Sequence, residues 1–187
     1  MNLIIGVTGA TGVIYAIRLL EILKNIDHIN THVVMSEWSI NNLEIETEYS
    51  LEYIKGLSTE LYDNNNLGAK IASGSFLTDG MIIVPCSMKT VSSISNGYSD
   101  KLIGRAADVM IKEGRKLVIC PRETPLNAIH LENMLKLSRL GVGIVPPMPA
   151  FYSKPKVIDD IIDHHVMKLL DQFNINIHDE KRWGGWK

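Results

Sequence analysis

The segment Val7-Thr8-Gly9-Ala10-Thr11-Gly12 joins an apolar run to an amphipathic one. Glycines in such a turn let backbone N–H groups approach an anion, and the helix start that follows carries partial positive charge. The expected ligand is a nucleotide phosphate. Gly6, Gly9 and Gly12 have the G-x-x-G-x-x-G spacing that short-chain dehydrogenases share, but the rest of that chemistry does not follow. Tyr152-Ser-Lys-Pro-Lys156 places a tyrosine and a lysine one helical turn apart, and Pro155 breaks the helix that would align them. The second apolar run ends in Met35-Ser36, with Glu37 near but not at the early position a ribose diol needs. A dinucleotide is therefore rejected.

Further polar clusters follow three apolar runs: Ser36, then Ser87-Met88-Lys89-Thr90, then Arg122-Glu123-Thr124. Hydroxyls, backbone donors and a guanidinium together suit a planar, polar, phosphorylated ligand. Taken singly, Ser36 and Ser87 are explained equally well as helix N-caps. Lys101, Arg105, Asp108 and Lys112 recur at i, i+4, i+7 and i+11, on one face of a predicted helix. Such stripes are ordinarily just solvated. Here the interleaved Ala106, Ala107, Val109 and Met110 make most of the helix core, so the cations are few and placed. A cation stripe is also what neutralises a departing phosphate.

These clusters need elements to hold them. Near-continuous Val/Ile runs at 3–7, 31–35, 81–84, 116–120 and 143–145 predict strands buried on both faces of a parallel sheet. Apolar residues at three- and four-residue spacing predict helices over 13–25, 36–46, 100–113, 126–140 and 157–173. Gly114 and Gly141 fall where C-terminal caps belong. The alternation predicts an α/β fold, a doubly wound parallel sheet in a three-layer αβα sandwich, with ligands at the carboxyl ends of the strands. The polar stretch 63–75 reads as a mobile surface loop within it. All 187 residues are expected to form one domain, with the C-terminal helix and tail, 155–187, completing the site.

A formal net charge of −2 leaves no basic field for nucleic acid or a membrane surface. No apolar run approaches a membrane span, and the first residues lack a basic, signal-like region. Cys86 and Cys120 end apolar runs and read as buried thiols, not a disulfide, so the expectation is a soluble, cytoplasmic chain. His164 and His165 are adjacent and would point about 100° apart on a helix. His130 reads as packed or hydrogen-bonded, and no metal site is predicted.

The stretches TGATGVIYAIRLL, PCSMKT, GRAADVMIKEGRKLVICPRETPL, IHLENMLKLSRLGV and PPMPAFY together resemble the UbiX-type flavin prenyltransferases. The likeness is greatest to the small (B) subunit associated with hydroxyarylic, or phenolic, acid decarboxylases. It implies a flavodoxin-like sandwich assembled as a homododecamer. It also implies metal-independent transfer of a dimethylallyl group from dimethylallyl phosphate to N5 and C6 of reduced FMN. The prenylated FMN would go to a partner UbiD-type decarboxylase.

Carried onto this chain, Gly9, Ala10, Thr11, Ser36, Ser87, Met88, Lys89, Thr90 and Arg122 would hold FMN. Tyr152 and Lys168 would meet the prenyl phosphate, with Arg105, Lys112 and Glu123 around it. Thr11, Glu46, Lys112 and Glu123 would be the catalytic set, Glu46 matching a family active-site glutamate. Tyr15 and Trp183 are aromatic faces that suit an allylic cation. Thr11 stands where serine is frequent, Lys168 where arginine is frequent, and Glu37 where a basic residue is common. Two other readings are an FMN-binding accessory subunit without transferase activity and an FMN-dependent cysteine decarboxylase. The latter enzymes carry a P-A-S-A-N-T type stretch where this chain has PCSMKT.

Overall fold

The chain is described by a computed structural model covering residues 1–177 and 182–185. Six strands form one parallel sheet: β1 (Asn2–Val7), β2 (Asn30–Met35), β3 (Glu60–Asp63), β4 (Gly80–Cys86), β5 (Lys116–Pro121) and β6 (Gly143–Ile144). Their order is β3-β2-β1-β4-β5-β6, so the winding reverses between β1 and β4. Without the short edge strand β3, the remaining order is that of a flavodoxin-like sheet.

Alternating side chains send each strand into two cores. Leu3, Ile5, Val7, Val33, Ile82, Val84, Val118 and Cys120 pack under α1 (Val13–Lys24), α2 (Glu37–Glu46), α3 (Leu51–Leu57) and α7 (Ile158–Asp171). Ile4, Val34, Met81, Ile83 and Ile119 pack under α4 (Met88–Ser95), α5 (Leu102–Lys112) and α6 (Ala128–Arg139). Burial on both faces explains why the central strands are near-continuous apolar runs. At the edge, β3 (ELYD) is polar and was missed by that criterion, while α3 and α4 lacked a long enough apolar stripe to announce themselves.

Gly114 and Gly141 take positive φ (64° and 84°) at the turns leaving α5 and α6, as their positions predicted. The expected mobile loop 63–75 is overturned. Asp63 belongs to β3, and Lys70–Ala72 form a 3-10 turn against α5. Ala69, Ile71 and Ala72 are buried, and Arg105 Nε donates to Ala72 O at 3.0 Å. Sparse apolar residues there hid the fact that three of them, Ala69, Ile71 and Ala72, face inward, while Leu67 stays exposed. Among the described residues, no helix is long and apolar enough to cross a membrane.

Ile71 is 1 % exposed, so truncating it leaves a cavity in the core between sheet and α5. Ile71→Ala should cost about 2–5 kcal/mol of stability, visible as a clear fall in thermal midpoint. A solvated loop would show no such fall.

Candidate functional site: a crevice at the winding reversal

Where β1 and β4 diverge, their carboxyl ends open a crevice, the general ligand position in such sheets. Thr8 braces it. Its buried hydroxyl donates to Pro85 O (2.9 Å) and accepts from Ser87 N–H (2.8 Å), tying the loop after β1 to the loop after β4. Ser36 N–H donates to Val7 O and Arg122 N–H to Cys86 O, so the loops after β2 and β5 are tied in as well.

Two helices begin at this crevice with serine caps. Ser36 Oγ accepts from Ser39 N–H at 3.2 Å, and Ser87 Oγ accepts from Thr90 N–H at 3.3 Å while contacting Thr90 Oγ1 at 3.1 Å. The capping roles that the residue types allow are thus both realised. The same residues, with Thr8, Gly9, Trp38, Lys89 and Lys101, line a cavity of about 320 Å³. Glu37 and Asp100 line it as well and balance the two ammonium groups, so it is the two positive helix ends and the several hydroxyls that suit it to a phosphate. A Cβ on Gly9 would lie 2.6 Å from Trp38 Cβ, so the turn passes too close to α2 for any side chain.

The start of α1, the expected phosphate seat, is already filled. Glu46 Oε2 accepts from Gly12 N–H (2.8 Å) and Val13 N–H (3.2 Å). The chain's own carboxylate, delivered from the end of α2, satisfies the positive end of α1. Asn42 Nδ2 holds Ala10 O at 3.1 Å in the same turn. The anion attraction read from the glycine turn is real, but it is met internally.

Across that turn lies a second, mostly apolar cavity of about 800 Å³, lined by Thr11, Tyr15, Arg122, Glu123, Leu126, Met134, Pro146 and Met148. Thr11, Arg122 and Glu123 therefore come together, whereas Gly9, Ser36, Ser87, Lys89 and Thr90 face the polar cavity beside it. Glu123 turns its carboxylate to the neighbouring Thr124 N–H. Met88 packs partly into the core beneath the loop.

The phosphate set expected around Tyr152 is divided. Tyr152 hydrogen-bonds His164 on α7, and Lys168 pairs with Asp171 on the same helix, in the layer beside α1. Arg105 and Lys112 lie on α5, across the sheet, beside a depression of about 560 Å³ with Ser73, Gly74 and Ser75. Arg105 pairs with Asp108 and Lys112 with Glu113, while Lys101 contacts Asn65 rather than continuing the stripe. Sheet and core separate the two groups, so they cannot share one phosphate within a single chain. Helical spacing shows which residues share a helix face but not which sheet face that helix covers.

The histidines also separate. His165 turns inward, its Nε2 3.0 Å from Cys120 Sγ and its ring edge-on to Tyr15 at 5.0 Å. Burial, aided by the neighbouring His164, pushes His165 down to about 4. Burial likewise holds the Cys120 thiol protonated, well above its ordinary range. His130 completes a capping box with Asn127. Sequence reasoning missed Arg182, whose guanidinium grips both oxygens of Asp171 at 3.1 and 2.7 Å, pulling that carboxyl below its usual range with help from Lys168. Trp183 stacks edge-on to Tyr152. Trp186 lies outside the described residues.

A flavoprotein family model matches residues 1–170. The chain is 55 % identical over 184 residues to flavin prenyltransferase LpdB of Lactiplantibacillus plantarum, covering 98 % of each. It superposes with TM-score 0.97 on a dodecameric FMN-dependent UbiX-like decarboxylase from Escherichia coli O157:H7, at 52 % identity over 99 % of this chain and 100 % of that one. The TM-score is also 0.97 for AnUbiX (PadA1) in complex with FMN and dimethylallyl pyrophosphate, at 45 % identity over 100 % of this chain and 98 % of that one. The chain belongs to the flavoprotein family and, within it, to the UbiX-like flavin prenyltransferases.

His165 binds a proton far less readily folded, at about 4, than in the unfolded chain, near 6.5. Its contribution to stability is complete above about pH 6.5 and is lost as pH falls towards 4, because the unfolded state takes up the proton first. The thermal midpoint should drop across that window, and His165→Met should flatten the slope. An unchanged slope would mean that His165 is not held neutral.

Proposed function

We propose that this member of the family joins the dimethylallyl group of dimethylallyl phosphate to N5 and C6 of reduced FMN, making prenylated FMN for a UbiD-type decarboxylase. The observation that carries the reading is the presence of two separate clusters of cationic and hydroxyl groups. One is the crevice of Ser36, Ser87, Lys89 and Thr90; the other is the Tyr152, Lys168 and Arg182 group around α7. Storage of FMN alone would need only the first.

The crevice fits a flavin phosphate, and the adjoining apolar cavity fits the ring. Under this reading Ser36, Ser87, Lys89 and Thr90 hold the phosphate. The backbone of Gly9, Ala10, Thr11 and Met88 borders the path between the cavities, and Arg122 meets the ring. The reduced flavin, when bound, supplies the electron-rich nucleophile. The chain's task is to help the allylic C–O bond break, with the phosphate leaving with the electron pair. A hydroxyl from Tyr152 and an ammonium from Lys168 stabilise that developing charge, and Trp183 and Tyr15 offer aromatic faces to the allylic cation. Glu46, through the amides of Gly12 and Val13, fixes the turn carrying Thr11. Glu123 lines the apolar cavity, where its carboxylate would serve as the proton acceptor.

Arg105 and Lys112 would join this site from a second copy, as assembly into a homododecamer would allow. Exposed apolar residues point the same way: Met148, Phe151 and Ile158 are 70–76 % exposed, and Leu126, Ile129 and Leu135 stand out on the loop before α6 and on α6 itself. Such exposure on one chain is normally covered by association. Two buried free thiols, Cys86 and Cys120, suit a cytoplasmic setting.

The purified chain, given reduced FMN and dimethylallyl phosphate without oxygen, should yield a flavin heavier by one prenyl unit in mass spectrometry. Recovery of unmodified FMN alone would favour the accessory-subunit reading. Lys112→Ala should retain FMN while prenyl transfer falls roughly 10²–10³-fold, as expected for a cation removed from a site of developing charge. Arg122→Ala should instead lose FMN first. Loss of FMN from Lys112→Ala, with normal turnover once FMN is resupplied, would remove Lys112 from the prenyl phosphate site.

A further inference from the structure

Tyr152 is half-exposed, yet its hydroxyl is anchored 2.8 Å from Nε2 of His164, which is 6 % exposed. The two rings meet edge-on at 5.6 Å, and Trp183 closes on the other side of the tyrosine at 5.6 Å. His164 shares one face of α7 with Lys168 and Asp171, four and seven residues on, so the helix presents imidazole, ammonium and carboxylate in a row. His165, one residue further, is committed to Cys120 on β5 and cannot substitute for it.

A tyrosine hydroxyl has one proton and can also accept. If it donated to the imidazole, it would offer a phosphate only lone pairs, and two acceptors would face each other. If the imidazole donates, the tyrosine proton is left for the anion, and the bond becomes charge-assisted. We propose that His164 is a positioning residue whose Nε2–H donates to the Tyr152 oxygen, turning the Tyr152 O–H towards the phosphate of the prenyl donor. This rests on the reading that Tyr152 meets that phosphate. His164 itself touches neither donor nor flavin; it acts through the tyrosine.

The test is the dissociation constant of dimethylallyl phosphate for the assembled protein loaded with oxidised FMN, measured by calorimetry, where no transfer occurs. His164→Leu and Tyr152→Phe should each weaken binding about tenfold, the scale of one hydrogen bond to a charged group. The double variant should bind no more weakly than Tyr152→Phe alone, because both remove the same interaction. His164→Gln, whose amide can still donate, should recover most of the affinity, and FMN retention should not change in any variant. Should His164→Leu fail to fold, Tyr152→Phe against His164→Gln carries the same comparison. Losses that multiply, His164→Gln as weak as Tyr152→Phe, loss through FMN release, or no binding by the unaltered chain would each overturn the role. The expected pattern supports it even if reducing the flavin gives no prenylated product, a result that counts against the transfer reading alone.

Discussion

Burial of the sheet on both faces is the constraint from which the rest follows. A parallel sheet cannot return on itself by hairpins, so each strand needs a crossover that lies on one face or the other. The winding therefore reverses once, between β1 and β4, and leaves a gap that no crossover covers. Leu, Ile and Val, with a few Met and Cys residues, fill most inward positions of the central strands, which leaves polar chemistry mainly to the strand ends and to outward helix faces. The crevice is thus a consequence of topology before it is a consequence of any functional residue.

What shapes the crevice is how completely the chain satisfies its own polar groups around it. Thr8 bridges two loops, and Glu46 occupies the amides at the start of α1. An open helix end there would compete with the ends of α2 and α4 for the same anion. With α1 closed, the open helix starts at the crevice are those of α2 and α4, where Ser36, Ser87, Lys89 and Thr90 line one cavity. Thr11, on the other side of the turn, lines the apolar cavity instead. One short glycine turn thereby separates a polar seat from a largely apolar one.

The α7 layer has a different logic. Its cations are paired, Lys168 and Arg182 both with Asp171, and its tyrosine is held from behind. Pairing to one carboxylate holds both cations on the same side of α7. The adjacent histidines show how one helix serves two layers. His165 seals the sheet side as a neutral, buried ring, while His164 faces the tyrosine.

Much of this was legible in the residues. Near-continuous Val/Ile runs announce strands buried twice, glycines at 114 and 141 announce helix ends, and the clusters at 36, 87–90 and 122 announce polar strand ends, because each depends on local sequence and on which side of a chain must avoid water. The family was legible too, through ordered stretches spanning nearly the whole chain. Other features were not. The polar edge strand β3 and the packed 63–75 segment carry too little apolar pattern to show their burial. That Glu46 would fill the end of α1, that Arg182 would hold Asp171, and that Arg105 and Lys112 would stand across the sheet from Tyr152 and Lys168 depend on contacts between residues up to tens of positions apart. Spacing along one helix determines which side chains share its face. Only the packing of that helix onto a particular side of the sheet decides what the face meets.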